Sequence, residues 1–302
     1  MIISIFGTNG MLSKYLTYYF INQNSSNIVN VLGLEEPNDY KYSNFTKINL
    51  INDEIDYNII IDSDVIIYAA GAGVQAALKT DSKLMYELNL YIPVNICNEL
   101  KERNYNGIYI SFGSYMEIGI NNDENAVFDE LHVELSRLPV TNDYALSKRL
   151  YTRFMGCFQS PYRFWHFILP NIYVKNETGT RLIPYVLNYL KKMKKGEKSK
   201  PPKFSSGDQI RQYINFEDTC YSIVKCIEAN VESGVYNIGG GEIFSIKELI
   251  IRLFSFYQIP IHNEMFGHEK RRDNEIKSLK INGDKLKKEI GYSPSQRIES
   301  IL

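Results

Sequence analysis

Short apolar runs and helix-spaced apolar positions alternate along the first half of the chain. Met1–Phe6, Asn27–Leu32, Phe45–Leu50, Asp64–Ala69 and Gly107–Phe112 are brief, near-continuous apolar runs, the pattern of strands covered on both faces. Between them, apolar residues recur at helical spacing around Leu12–Phe20 and from Lys83 to Leu100. A further helix is predicted from Tyr144 through Leu150, Phe154 and Phe158, with Tyr162–Leu169 as another central strand and Gly234–Ile238 as a late one. Strands alternating with helices predict βαβ units and a parallel sheet covered by helices.

The second half reads differently. Lys191 to Lys203 is lysine-rich and ends in Pro201-Pro202, a helix terminus running into a loop. A helical pattern over Ser245–Ile259 follows the glycine run 239–241, and the tail from Lys280 to Leu302 mixes short helix and turn signals. No internal repeat or low-complexity linker separates the halves, so two lobes without a detachable joint are expected.

Composition narrows the class. In 302 residues, 44% hydrophobic and 23% charged content is that of a globular chain with ample core. Lys and Arg number 34 against 35 acidic residues, and a net charge of −1 excludes a protein built to coat nucleic acid or an anionic membrane. Cys97, Cys157, Cys220 and Cys226 form no CxxC, and His132, His166, His262 and His268 have no ligand spacing, so neither a disulfide scaffold nor a metal site is expected. With no signal-peptide pattern and no long apolar span, a cytoplasmic location is expected. The lysines from Lys191 to Lys203 read as a solvated helix end.

Two motifs carry chemistry. Gly7-Thr8-Asn9-Gly10-Met11-Leu12-Ser13 stands between the first strand and the first helix, where glycines let backbone N–H groups and a helix N-terminus approach a pyrophosphate. Ser13 replaces the third glycine with another small residue. After the second strand, Gly33 stands where an acidic residue would hold a ribose 2′-hydroxyl; Glu35 nearby would repel a 2′-phosphate, leaning toward NAD while leaving NADP open. The second motif is Tyr144-Ala145-Leu146-Ser147-Lys148: a spacing of four puts Tyr144 and Lys148 on one helix face. An ammonium beside a phenol would lower the tyrosine's proton affinity and suit it to proton exchange with an oxygen as hydride moves at its carbon.

Together these motifs make the chain resemble the extended short-chain dehydrogenases/reductases, the nucleotide-sugar epimerase/dehydratase/reductase family. Asp64–Gly71 resembles the family's "DVVIHLAA" strand, implying that Ala69, Ala70 and Gly71 line the cofactor. Asn89 sits where the family keeps an asparagine, and Asn49 with Leu50 where an aspartate commonly meets adenine. Leu169-Pro170-Asn171-Ile172-Tyr173 is similar to "R-x-x-N-V-Y-G", implying that Pro170 borders the cofactor and Asn171 contacts substrate. Arg211–Asp218, Tyr236–Gly239, Arg271/Arg272 and Lys285–Pro294 resemble later family segments. The resemblance implies a Rossmann doubly wound parallel sheet over residues 1–170 and 208–242. A smaller mixed α/β substrate lobe is expected over 171–207 and 243–302.

The resemblance implies a catalytic hydroxyl after the fifth strand, within Ile110-Ser111-Phe112-Gly113-Ser114-Tyr115-Met116-Glu117-Ile118-Gly119. One register puts Gly113 or Phe112 at that position; matching Gly119 to the family's final glycine gives Ser114, with Ser111 as the fallback. No Asp–Glu pair of the dehydratase kind follows Ser111, and Glu117 lies too late to match it. The expected set is Tyr144, Lys148 and Ser114 for catalysis, and Gly7, Thr8, Asn9, Gly10, Met11 and Leu12 for the dinucleotide. Asn171, Arg211 and Arg271 are expected to bind a nucleotide-diphosphate sugar. The implied activity is NAD(P)-dependent reduction of a 4-keto (deoxy)sugar nucleotide in surface-polysaccharide sugar biosynthesis. A nucleotide-sugar epimerase with tightly held NAD, or a non-catalytic NAD(P)-binding sensor or scaffold, remains open. A homodimer through the helices carrying Asn89 and Tyr144 is expected from the resemblance.

Overall fold

The computed structural model describes residues 1–73, 80–177, 181–271 and 276–302. Arg272 therefore lies outside the described residues.

The apolar runs become strands of one parallel sheet: β1 (Ile2–Phe6), β2 (Ile28–Gly33), β3 (Asn44–Lys47), β4 (Val65–Tyr68), β5 (Ile108–Ser114) and β6 (Arg163–Leu169). After β7 (Asn171–Tyr173) and β8 (Ile210–Asn215) comes β9 (Gly234–Asn237), which completes the seven-stranded sheet in the order β3-β2-β1-β4-β5-β6-β9. The strand order reverses between β1 and β4, so the carboxyl ends of those strands open a crevice. The helices before β8 are α1 (Met11–Gln23), α2 (Ser82–Tyr86), α3 (Ile92–Glu102), α4 (Glu130–Glu134), α5 (Asp143–Cys157) and α6 (Leu182–Lys194). Then follow α7 (Phe216–Ala229), α8 (Ile246–Phe256) and α9 (Asp284–Ile290). This is the expected α/β Rossmann arrangement.

The smaller sheet is mixed. β8 is its centre, flanked by antiparallel β10 (Glu242–Ser245) and by parallel β7 and β11 (Ser278–Leu279). One boundary differs from expectation: residues 208–242 do not fall wholly in the main sheet. β8 belongs to the small sheet, because Tyr213–Asn215 pair with Asn171–Tyr173, while α7 and β9 return to the large one. Against the small sheet, α6 and α8 bury Ile183, Val186, Leu190, Leu249, Leu253 and Phe254 in a separate core.

Two further differences have local causes. The strand expected over Phe45–Leu50 ends at Lys47, because Asn49 forms a turn: its N–H donates to Asp53 and its Oδ1 accepts from Ile51 N–H. The helix expected over Lys83–Leu100 carries a π-turn at Glu87–Tyr91, where Ile92 N–H reaches back to Glu87 O. Pro93 has no N–H to give the carbonyl of residue 89, which favours this wider turn. No described helix is long and apolar enough to cross a membrane, and the four cysteines are free.

Candidate active site

The candidate residues meet at the carboxyl ends of β1, β4, β5 and β6. Gly7 leaves β1 at φ +111, and a Cβ there would stand 3.2 Å from Ala70 N and 3.3 Å from the Ala69 carbonyl carbon. The position therefore tolerates only glycine, for both conformation and space. Gly10 then starts α1 with no side-chain cap on its N-terminal N–H groups. A positive helix end, a bare turn and the adjacent Ala69–Ala70 backbone make a cradle that fits a dinucleotide pyrophosphate. Thr8 packs against Gly33 and its carbonyl accepts from Tyr40 OH, while Asn9 Nδ2 donates to Glu35 Oε2 at 3.1 Å. Glu35 thus stands beside the turn, as the sequence placed it. Asn49 and Leu50 lie half-buried in the loop after β3.

From β4 the chain runs past Gly71, where a Cβ would lie 3.0 Å from Asn89 Oδ1 and 3.9 Å from Lys148 Nζ, and past Gly73, beside Tyr144. The loop thereby links the dinucleotide cradle to the tyrosine–lysine pair. Asn89, expected at the cofactor, lies behind this loop. Fully buried, it accepts from Ala72 N–H and donates to Ala72 O and Ser147 Oγ, so its amide braces this loop against α5.

Helix α5 starts where Asn142 caps it by accepting from Ala145 N–H, with Asp143 in its first turn. Tyr144 is half-buried on this first turn, and Ser114 lies within hydrogen-bonding reach of its hydroxyl. Ser114 is the last residue of β5 and caps a 3₁₀ turn over Tyr115–Ile118, its Oγ accepting from Met116 N–H. Ser111, the alternative, is fully buried and bonded to His166 Nδ1 at 2.8 Å. Gly113 has no hydroxyl, and a Cβ on it would fall 2.7 Å from Glu117 Oε1. Of these three positions, Ser114 is the one brought to Tyr144.

The electrostatics correct one expectation. Tyr144 is not lowered by Lys148; burial pushes it up to about 12, Ser114 opposes that rise, Glu117 adds to it and Arg181 opposes it. Lys148 Nζ donates instead to Phe112 O at 2.9 Å, and burial lowers its proton affinity while Glu117 raises it. Glu117 is fully buried, and burial holds its carboxyl above the usual carboxylate range.

Asn171 opens β7 directly after buried Pro170 and is half-buried beside the end of β6. Arg211 and Arg271 are brought together, but on a protein group. Both donate to Ile276 O, and buried Arg211 also donates to Ile210 O. The guanidinium forks expected at a diphosphate thus brace the loop before β11. Arg181 is not among the expected site residues. Here it donates to Glu177 Oε1 and Ile172 O, touches Met11 Sδ and acts on Tyr144, spanning the dinucleotide turn and the second lobe. Glu117 was weighed only as a misplaced dehydratase acid; its partners come from α5 and β6, which spacing along β5 does not reveal.

A model of the NAD dependent epimerase/dehydratase family matches residues 3–239. No curated protein matches the chain. Among solved structures, dTDP-glucose 4,6-dehydratase from Bacillus anthracis in complex with NAD is similar at TM-score 0.79 and 18% identity, covering 100% of this chain and 94% of that one. UDP-glucose 4-epimerase from Thermotoga maritima with UDP-glucose gives 0.78 and 16%, covering 100% and 96%. RMD from Pseudomonas aeruginosa complexed with NADPH gives 0.75 and 17%, again over 100% and 96%. At these identities the likeness is one of fold.

Proposed function

This chain belongs to the NAD dependent epimerase/dehydratase family, and from that premise we propose that it reduces a 4-keto nucleotide-linked sugar. The family's cofactor is a nicotinamide dinucleotide. Gly7 to Leu12, with Ala69 and Ala70, would hold it. Glu35, fixed to Asn9 beside that turn, favours NAD over NADP, because a 2′-phosphate would meet its carboxylate. When bound, the nicotinamide supplies hydride to the keto carbon.

The chain's own residues do the rest. Tyr144 gives its hydroxyl proton to the oxygen as charge develops there, and takes a proton back from solvent afterwards. Ser114, within reach of that hydroxyl, donates a hydrogen bond to the same oxygen. Lys148 supplies positive charge under the site, anchored by Phe112 O. Pushed up to about 12, the Tyr144 hydroxyl is held in its protonated form, the form in which reduction must begin.

The observation that carries the choice of reaction is the fate of the acids after β5. Tyr115 and Met116 follow Ser114, and the one acid of the turn, Glu117, is sealed beneath it on Ser114 N–H and Thr152. Water elimination needs a carboxyl acid/base facing substrate, and this turn offers none.

The test is the fate of reduced cofactor when purified protein meets a panel of nucleotide-linked 4-keto sugars. Stoichiometric oxidation of cofactor with one sugar is the expected result. Isomerised sugar without net cofactor consumption would replace the reductase by an epimerase; bound cofactor with no turnover would leave a sensor. Pairing of two copies through the helices carrying Asn89 and Tyr144, where Tyr91 and Leu150 are exposed, belongs to the same proposal and is read by sedimentation.

A further inference from the structure

Beneath the site lies a chain of polar side chains that the reaction above does not use. Glu117 Oε1 accepts from Ser114 N–H at 2.6 Å and Oε2 accepts from Thr152 Oγ1. Thr152 Oγ1 also pairs with His166 Nε2 at 2.9 Å, and His166 Nδ1 with Ser111 Oγ. All five residues except Ser114 are fully buried. An ionised carboxylate only accepts, so it dictates the polarity of the whole row. Thr152 must donate to Glu117, and therefore accepts from His166 Nε2–H; His166 Nδ1 then accepts from Ser111. Every member is satisfied in that single arrangement, with His166 neutral.

The row also grips the end of β5 from two sides. Lys148 Nζ holds Phe112 O and Glu117 Oε1 holds Ser114 N–H, with Gly113 between them. Gly113 has no room for a methyl, since a Cβ would lie 2.7 Å from Glu117 Oε1 and 2.8 Å from His166 Nε2. Arg149 locks the turn that bears Glu117 by donating to the carbonyls of Glu117, Ile118 and Leu138. We infer that Glu117 is a positioning residue of the reaction: through Ser114 N–H it sets the place of the Ser114 hydroxyl, and it is the buried counter-charge of Lys148.

This inference rests on the reading of Tyr144, Ser114 and Lys148 as the reacting set. The charged and titratable groups facing Glu117 are Lys148 and Arg149 from α5, His166 from β6 across Thr152, and Tyr144. On the other elements packed against the turn, α4 turns Glu130 to Asn237 N–H and β11 offers only Ser278 and Leu279. Burial lowers the proton affinity of Lys148 and Glu117 opposes that, so loss of the carboxylate leaves the ammonium harder to keep.

The test reads Lys148 directly, without turnover, by NMR titration of protein carrying [ε-13C]lysine, its signal identified by loss in Lys148→Arg. In Glu117→Gln the Lys148 midpoint should fall by about one pH unit, a tenfold loss of proton affinity, while Glu117→Asp keeps most of the wild-type value. An unmoved midpoint in folded Glu117→Gln overturns the inference. Should that variant not fold, the wild-type protein still decides: the Lys148 signal must show a second, lower inflection as Glu117 ionises, and its absence overturns the inference equally. The function reading fails separately, if no keto sugar is reduced although the Lys148 shift is present.

Discussion

The two faces of the large sheet differ most over β5 and β6, beneath the candidate site. On one face Ile110 and Phe112 of β5 and Trp165 and Phe167 of β6 meet α1 and α7 through Leu16, Phe20, Phe216 and Ile223, all apolar. On the other, the alternate residues are Tyr109, Ser111 and Gly113 of β5 and His166 of β6, and they face Lys148, Tyr151 and Thr152 of α5. Both faces are equally dry, since Ser111, His166 and Thr152 are as buried as Ile110 and Phe167. Both faces hold the sheet by apolar area, the second through Phe6, Ile66, Phe164, Ile168 and Val235 among others; only the second also carries a set of charges and hydrogen-bond donors at fixed places, under the candidate site. A buried polar group is tolerated only when it is bonded, so the second face has little freedom to rearrange.

The sharpest way to separate the faces is to remove a single oxygen. Tyr144→Phe should leave fold and cofactor affinity intact and lower turnover by roughly two to four orders of magnitude, read as oxidation of reduced cofactor. Near-wild-type turnover in this variant would break the assignment of chemistry to the α5 face. The matching change on the apolar face acts on stability alone. Phe167→Ala, a fully buried ring, should lose about 3–5 kcal/mol in urea unfolding, with activity per folded molecule unchanged. Gly113→Ala comes next. Adding one methyl against Ile168, Glu117 and His166 should cost about 1–3 kcal/mol and, unlike Phe167→Ala, also reduce turnover, because the carboxylate that holds Ser114 must shift. A Gly113→Ala protein with full activity would show that the row beneath the site has slack.

How far the sequence discloses each face follows from the same contrast. The apolar face is legible because continuous runs such as Val65–Tyr68 and Ile108–Phe112 have one reading, a strand covered on both sides. The glycine turn is legible because only glycine satisfies Gly7, and Tyr144 with Lys148 because a helix makes them neighbours. The polar face is not. Ser111 and His166 look like ordinary breaks in apolar runs, and their partners Glu117 and Thr152 lie on separate elements, joined only by tertiary packing. The direction in which Lys148 acts was hidden for a related reason. Spacing places it beside Tyr144, but Phe112 O and Glu117, which claim its ammonium, belong to β5 and the turn after it. Arg211 and Arg271, expected at a diphosphate for their guanidinium chemistry, both donate to the carbonyl of Ile276, a convergence that only tertiary packing reveals.

The smallest expected effect distinguishes the two buried titratable groups of the polar face by sign. Burial holds His166 well below its ordinary value of 6.5, so it stays neutral in the fold; the stability it contributes is present above pH 6.5 and is lost as pH falls further. Burial raises Glu117 above its ordinary 4.5, so its contribution is complete below pH 4.5 and is lost as pH rises through its folded value. Between pH 4.5 and 6.5 the two therefore oppose each other in the wild-type protein. In His166→Gln the amide still donates to Thr152 but takes up no proton, leaving the Glu117 effect without its opponent. The variant should accordingly gain stability relative to wild type on acidification through this window, by at most about 1.4 kcal/mol per pH unit. Exposed carboxylates titrate alike in both proteins and cancel in the difference. Parallel urea-unfolding curves for wild type and His166→Gln at several pH values check it. A difference that stays constant with pH would mean that His166 takes up its proton inside the fold as readily as outside it, so that its Nδ1 donates to Ser111 instead of accepting from it.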